Sequence, residues 1–86
     1  MILRDKAHET TELLVITAEE CGELTQECMK IIRFGQDNDN LTKEAGDVMC
    51  MIQLLIEKDL VNQAELNKRI IKKRKKLKTF STLTNL

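Results

Sequence analysis

Apolar positions recur at helical spacing along most of the chain. From about residue 10 to residue 33, Leu13, Thr17, Leu24, Cys28 and Ile31 follow intervals of three, four or seven, which gathers them on one face of an α-helix. Gly35 reads as the C-cap of that helix. The segment GQDNDN at 35–40 is rich in turn formers, and either Asp39 or Asn40 can cap a second helix. That helix carries Leu41, Val48, Ile52 and Leu55 on one face and ends near Lys58. NQAE at 62–65 places Glu65 three residues after Asn62, a capping-box spacing that opens a third helix running to about Lys78. Residues 1–9 read as a further short helix or an extension of the first, and residues 79–86 as a tail.

No internal repeat and no linker divides the chain, so residues 1–86 form a single domain. Loops this short set neighbouring helices antiparallel. At 86 residues, folding buries only about 60% of the unfolded surface, so an isolated monomer is marginal. The expectation is an all-α antiparallel bundle of three to four helices, completed by homo-oligomerisation into a four-helix-type core as a homodimer or homotetramer. Composition agrees: the chain has no proline and three glycines, with 42% apolar and 33% charged residues, which suits helices and argues against disorder or a turn-rich β fold. Phe34 and Phe80 are the only aromatics, so the core falls to Leu, Ile, Val and Met.

Charge changes the picture more than composition does. Net charge is zero, yet residues 1–47 hold eleven acids and five bases, and residues 48–86 hold three acids and nine bases. The two halves therefore face each other or share a charged ligand. Cys21, Cys28 and Cys50 are odd in number and have no CxxC spacing, and no signal peptide opens the chain, which points to a reducing cytoplasm. No apolar run is long enough to span a bilayer, so no membrane partner is expected.

The acids are concentrated in EECGELTQE at 19–27. On a helical wheel with Leu13 at zero, Leu24 and Ile31 lie within about 20°, Glu20 about 20° to one side, Glu27 about 40° and Glu23 about 80°. Glu20 thus occupies a slot in the apolar stripe. On the second helix, with Val48 at zero, Glu44 lies about 40° to one side and Asp47 about 100°. Each helix contributes an i, i+3 carboxylate pair at the border of core and solvent. Four such groups must protonate or find a cation. With no His or Cys ligand beside them, they favour a hard divalent ion, Mg²⁺ or Mn²⁺. Gly22 and Gly46 lie beside these acids; glycine costs roughly 1 kcal/mol in a helix interior, so a close approach of backbones is expected there. The rival reading is two solvated acidic faces paired with the basic third helix.

The residues EECGE at 19–23 and EAGD at 44–47 resemble the paired EExxE and ExxD motifs of the MazG-like, all-α nucleoside triphosphate pyrophosphohydrolases. The similarity runs over about residues 11–58. It implies hydrolysis of an NTP or dNTP between the α and β phosphates, giving the monophosphate and pyrophosphate. By the same resemblance Glu20, Glu23, Glu44 and Asp47 match the metal ligands and Glu19 matches the first motif glutamate, for which either support of the ligands from behind or orientation of the attacking water is expected. Phosphate contacts are expected from Lys30, Arg33 and Lys72, with Lys43, Lys68, Arg69 and Lys73 as further choices.

NKRIIKKRKKLK at 67–78 holds eight bases and invites a second function, a non-catalytic interaction or nucleic-acid-binding module. Ile70, Ile71 and Leu77 within it instead describe an amphipathic helix whose nearer partner is the acidic first half, and nucleic acid is not expected as a partner. HETTE at 8–12 lacks the second histidine of a zinc protease motif, and DNDN lacks the glycine of a calcium loop.

Overall fold

The computed structural model describes residues 6–35, 39–83 and 85–86. It contains three helices, α1 (Lys6–Phe34), α2 (Asp39–Glu57) and α3 (Gln63–Phe80), and among the described residues no strand. The first helix starts earlier than the apolar pattern alone indicates. Residues 6–9 continue it without a break, while residues 1–5 and the middle of the 35–40 loop lie outside the described residues. Gly35 ends α1 in the left-handed region at φ 63°, its amide donating to the Ile31 carbonyl at 2.9 Å. That conformation penalises a Cβ, so a glycine is the favoured residue there.

α1 and α2 pack along each other as an antiparallel pair, with Lys58 just past the end of α2 reaching Glu9 near the start of α1 at 3.0 Å. The core between them is small. Met51 and Leu55 are the only buried apolar residues among those described, and Leu13, Leu24, Ile31, Leu41, Val48 and Ile52 are half-buried around them. Leu14, Val15, Met29, Ile32 and Met49 remain exposed.

α3 does not complete a bundle within the chain. It makes no extensive packing on α1 or α2 and has no buried residue. The molecule is accordingly elongated, 54 × 32 × 17 Å, with a radius of gyration of 16.3 Å where a compact domain of this length would have about 12 Å. The expected antiparallel relation thus holds for α1 and α2, and the third helix stands apart.

The connector fixes that departure. Lys58, Asp59, Leu60 and Val61 all donate their amides to carbonyls of residues 54–56. Asp59 adopts φ 61°, the left-handed C′ position of a Schellman-type end. Asn62 then caps α3, its Oδ1 accepting from the Glu65 amide at 2.9 Å. The capping box is half-formed, because the Glu65 carboxylate pairs with Lys68 instead of returning to Asn62. An Asp59→Gly chain is expected to be more stable by about 0.5–1 kcal/mol in denaturant unfolding, because glycine carries no left-handed penalty. An unchanged or lower midpoint would mean that the Asp59 side chain offsets its own strain.

Candidate metal centre

The geometry of the four acids follows from helix periodicity on two antiparallel rods. Residues three apart share a helix face, so Glu20 and Glu23 on α1 point the same way, and so do Glu44 and Asp47 on α2. Where the helices cross, one oxygen from each of the four lies within 4.8 Å of the others. Glu20, Glu44 and Asp47 are half-buried and Glu23 is exposed, so the cluster opens to solvent on the Glu23 side.

Two oxygens of these carboxylates are anomalous. Glu20 Oε2 and Glu44 Oε2 are shielded from solvent and have no hydrogen-bond partner. A buried acceptor with nothing to accept from costs free energy, and a carboxylate in that state costs more. Burial, followed by the nearby charges of Glu23 and Asp47, raises the pKa of Glu20. Burial likewise raises Glu44, together with a hydrogen bond to Glu23 and the charges of Glu23 and Asp47, while Lys43 opposes the rise. The metal-free centre therefore resists full ionisation. Four carboxylates around two orphaned oxygens fit a hard divalent cation, which would satisfy both oxygens and cancel the mutual repulsion. All-oxygen ligation with one open side leaves room for water or phosphate oxygens.

The other sequence-predicted residues lie around this centre in different relations to it. Glu19 is exposed on α1, next to Glu20 and outside the cluster of four. Lys30 is held by Glu27, donating from Nζ to Oε1 at 3.2 Å. Arg33 is exposed in the last turn of α1. Lys72 stands on α3, away from the α1–α2 pair. Glu27 itself carries more structural weight than its sequence position conveyed. It is 9% exposed, the one buried charged residue among those described, and its ion pair fixes the basic side chain one turn further on. Its place about 40° from Leu13 on the wheel was the available signal.

The glycines depart from expectation. A Cβ added at Gly22 or Gly46 would meet nothing within 4 Å, so no backbone approaches either residue within the described chain. The wheel explains this, since Gly22 lies about 180° from Leu13 and Gly46 about 160° from Val48, on the outer faces of the pair. Gly46→Ala should therefore stabilise the isolated chain by about 1 kcal/mol, read as a higher urea midpoint. A loss of stability or of assembly in this variant would reveal a neighbour from outside the chain on that face.

No curated protein and no solved structure matches this sequence. The family model for the MazG nucleotide pyrophosphohydrolase domain matches residues 8–78, a span that takes in α2, most of α1 and α3, and the four clustered acids. With the match extending over most of its length, the chain belongs to the MazG nucleotide pyrophosphohydrolase family.

Proposed function

We propose that this protein hydrolyses ribo- or deoxyribonucleoside triphosphates between the α and β phosphates, releasing the monophosphate and pyrophosphate in a Mg²⁺-dependent reaction. The observation that carries this reading is the pair of buried, partnerless oxygens on Glu20 and Glu44 inside a four-carboxylate cluster. Family membership supplies the substrate class. Glu20, Glu23, Glu44 and Asp47 would hold Mg²⁺, with Mn²⁺ as a substitute. Once bound, the ion supplies polarisation of phosphoryl oxygens, charge neutralisation and acidification of the attacking water.

The chain's own residues do the rest. The two helices hold the four carboxylates on a rigid frame, so little reorganisation is needed when charge builds on the phosphates. Glu19, exposed at the edge of the cluster, orients the attacking water and accepts its proton. Lys30 and Arg33, at the C-terminal end of α1, and Lys72 on α3 bind phosphate oxygens of the triphosphate and of the departing pyrophosphate. Three exposed free cysteines suit a reducing cytoplasm, where the enzyme would act on the nucleotide pool as a homodimer or homotetramer.

The deciding experiment is pyrophosphate release from a panel of NTPs and dNTPs, with and without Mg²⁺. Mg²⁺-dependent release with the matching monophosphate as co-product supports the reaction and ranks the substrates. Release of inorganic phosphate alone would place the cleavage elsewhere, and no cleavage of any triphosphate would overturn the reading.

A further inference from the structure

α3 is the most basic element of the chain, with eight bases and one acid in 18 residues. Four of its lysines form a row. Lys68, Lys72, Lys75 and Lys78 follow intervals of four, three and three, a run of about 15 Å along one side of the helix. With Leu77 at zero on the wheel, these four lie between about 100° and 220°. Leu66, Ile70 and Phe80 lie within about 60° of Leu77, on the opposite side, where Lys73 interrupts them. The row is exposed, faces away from the apolar side of α3, and does not depend on what packs there.

Among the described residues, little neutralises this row. Like charges one turn apart repel by a few tenths of a kcal/mol per pair, so the lysines weaken the helix that carries them. The ion pair of Lys68 with Glu65, at 3.4 Å, is fully at the surface, and Lys72, Lys75 and Lys78 have no carboxylate partner among the described residues. The acidic first half, the partner that the charge pattern suggests, does not cover α3 within the chain. The amides of residues 58–61 tied to α2, and Asn62 capping α3, hold the helix out from the α1–α2 pair.

We propose that the lysine row seats α3 in the major groove of duplex DNA, where it binds phosphates without reading sequence. The charge calls for a polyanion, and the shape of the helix selects which one. An 18-residue helix is a rod about 27 Å long and about 10–12 Å across, and the B-form major groove, about 12 Å wide, admits it. The row spans about 120° of the circumference, so cations meet the phosphates of both groove walls. The deep, narrow major groove of an RNA duplex keeps such a helix out. Single strands are held by stacking their bases on aromatic rings, and the row has none: Phe80 lies on the opposite side of α3 and Phe34 on α1. A membrane surface calls for a broad apolar face, whereas the apolar side of α3 is narrow and broken by Lys73. The proposal rests on charge and shape and is independent of the hydrolytic reading.

The test is fluorescence anisotropy of a labelled DNA duplex of about 20 base pairs, roughly 68 Å long, titrated with the full-length chain across a NaCl series. Each phosphate contact gives a slope of about −0.9 in log K against log salt, so a helix engaged through all four lysines is expected to show about −3.6. Lys75→Gln with Lys78→Gln should halve that slope and weaken binding about tenfold at low salt. Lys75→Arg with Lys78→Arg keeps the charges and should keep the slope. All four changes are at exposed positions and introduce good helix formers, and circular dichroism checks the helix content. The proposal is overturned by a wild type that leaves the duplex unbound at about 0.1 mM protein and low salt, or by a glutamine variant with the wild-type slope. A single strand or an RNA duplex bound as tightly as the DNA duplex would overturn it too. So would phosphatidylserine vesicles that capture the chain where the duplex does not, a result that would give α3 to a membrane surface.

Discussion

Glu20→Gln is expected to lower Mg²⁺-dependent triphosphate hydrolysis by about a thousandfold, the consequence of losing several kcal/mol of metal-mediated transition-state stabilisation. The same change should raise the melting temperature of the metal-free chain. Glutamine keeps the shape and removes a charge from a cluster whose members repel one another, and its amide can donate to a neighbouring carboxylate. Glu44→Gln should behave in parallel, for the same reasons. The opposite signs of the two effects are the informative part. A structural glutamate that loses its partners destabilises the fold on mutation, whereas a metal ligand waiting for its ion does the reverse. Steady-state pyrophosphate release and thermal melts in a chelator check this. Substantial turnover in either variant at low Mg²⁺ removes that residue from the ligand set.

The second large effect concerns pH and metal together. Glu20 and Glu44 have folded-state pKa values raised above the ordinary 4.5, so between that value and the raised one the folded chain binds more protons than the unfolded chain. Stability of the metal-free protein is therefore highest below the ordinary value and declines as pH rises through the raised one. Above that range both carboxylates are ionised in either state and the penalty is complete. Mg²⁺ reverses the trend, because it binds the ionised form and gains affinity with rising pH. At neutral pH and a hundredfold excess over Kd, the ion stabilises the chain by about 2.7 kcal/mol. In a domain of this size that is a shift of about 10 °C or more. Melting curves across pH with Mg²⁺ or chelator give both slopes. A metal-free chain whose stability climbs steadily from acid to neutral pH would contradict the electrostatics assigned to the centre.

Much of this was legible in the amino-acid order because helix periodicity is local. Glu20 and Glu44 stand in apolar stripes on the wheel, and their side chains are in fact drawn into the α1–α2 interface. Gly35 and Asn62 announced the end of one helix and the start of another through chemistry that acts over four residues. What stayed hidden depends on relations between helices. The standing-off of α3 is set by amides of residues 58–61 and by the left-handed Asp59, for which the sequence offers no glycine as a signal. Gly22 and Gly46 were read through their cost, but their position opposite the packed face decides what they meet, and among the described residues they meet nothing. Glu27 was visible as a charge near the apolar stripe, while its capture of Lys30 is a matter of rotamers.

Among the described residues the buried apolar interior is Met51 and Leu55, and this has a consequence for the protein's lifetime. So little burial leaves the folded population under the control of whatever binds it. Proteolysis acts on the opened chain, at a rate set by how often the chain opens. Were ion and nucleotide bound as proposed, the unloaded copy would be destroyed first and the loaded copy would persist. Under the proposed function, cellular abundance would rise with the supply of triphosphate to be removed, with no dedicated regulator required.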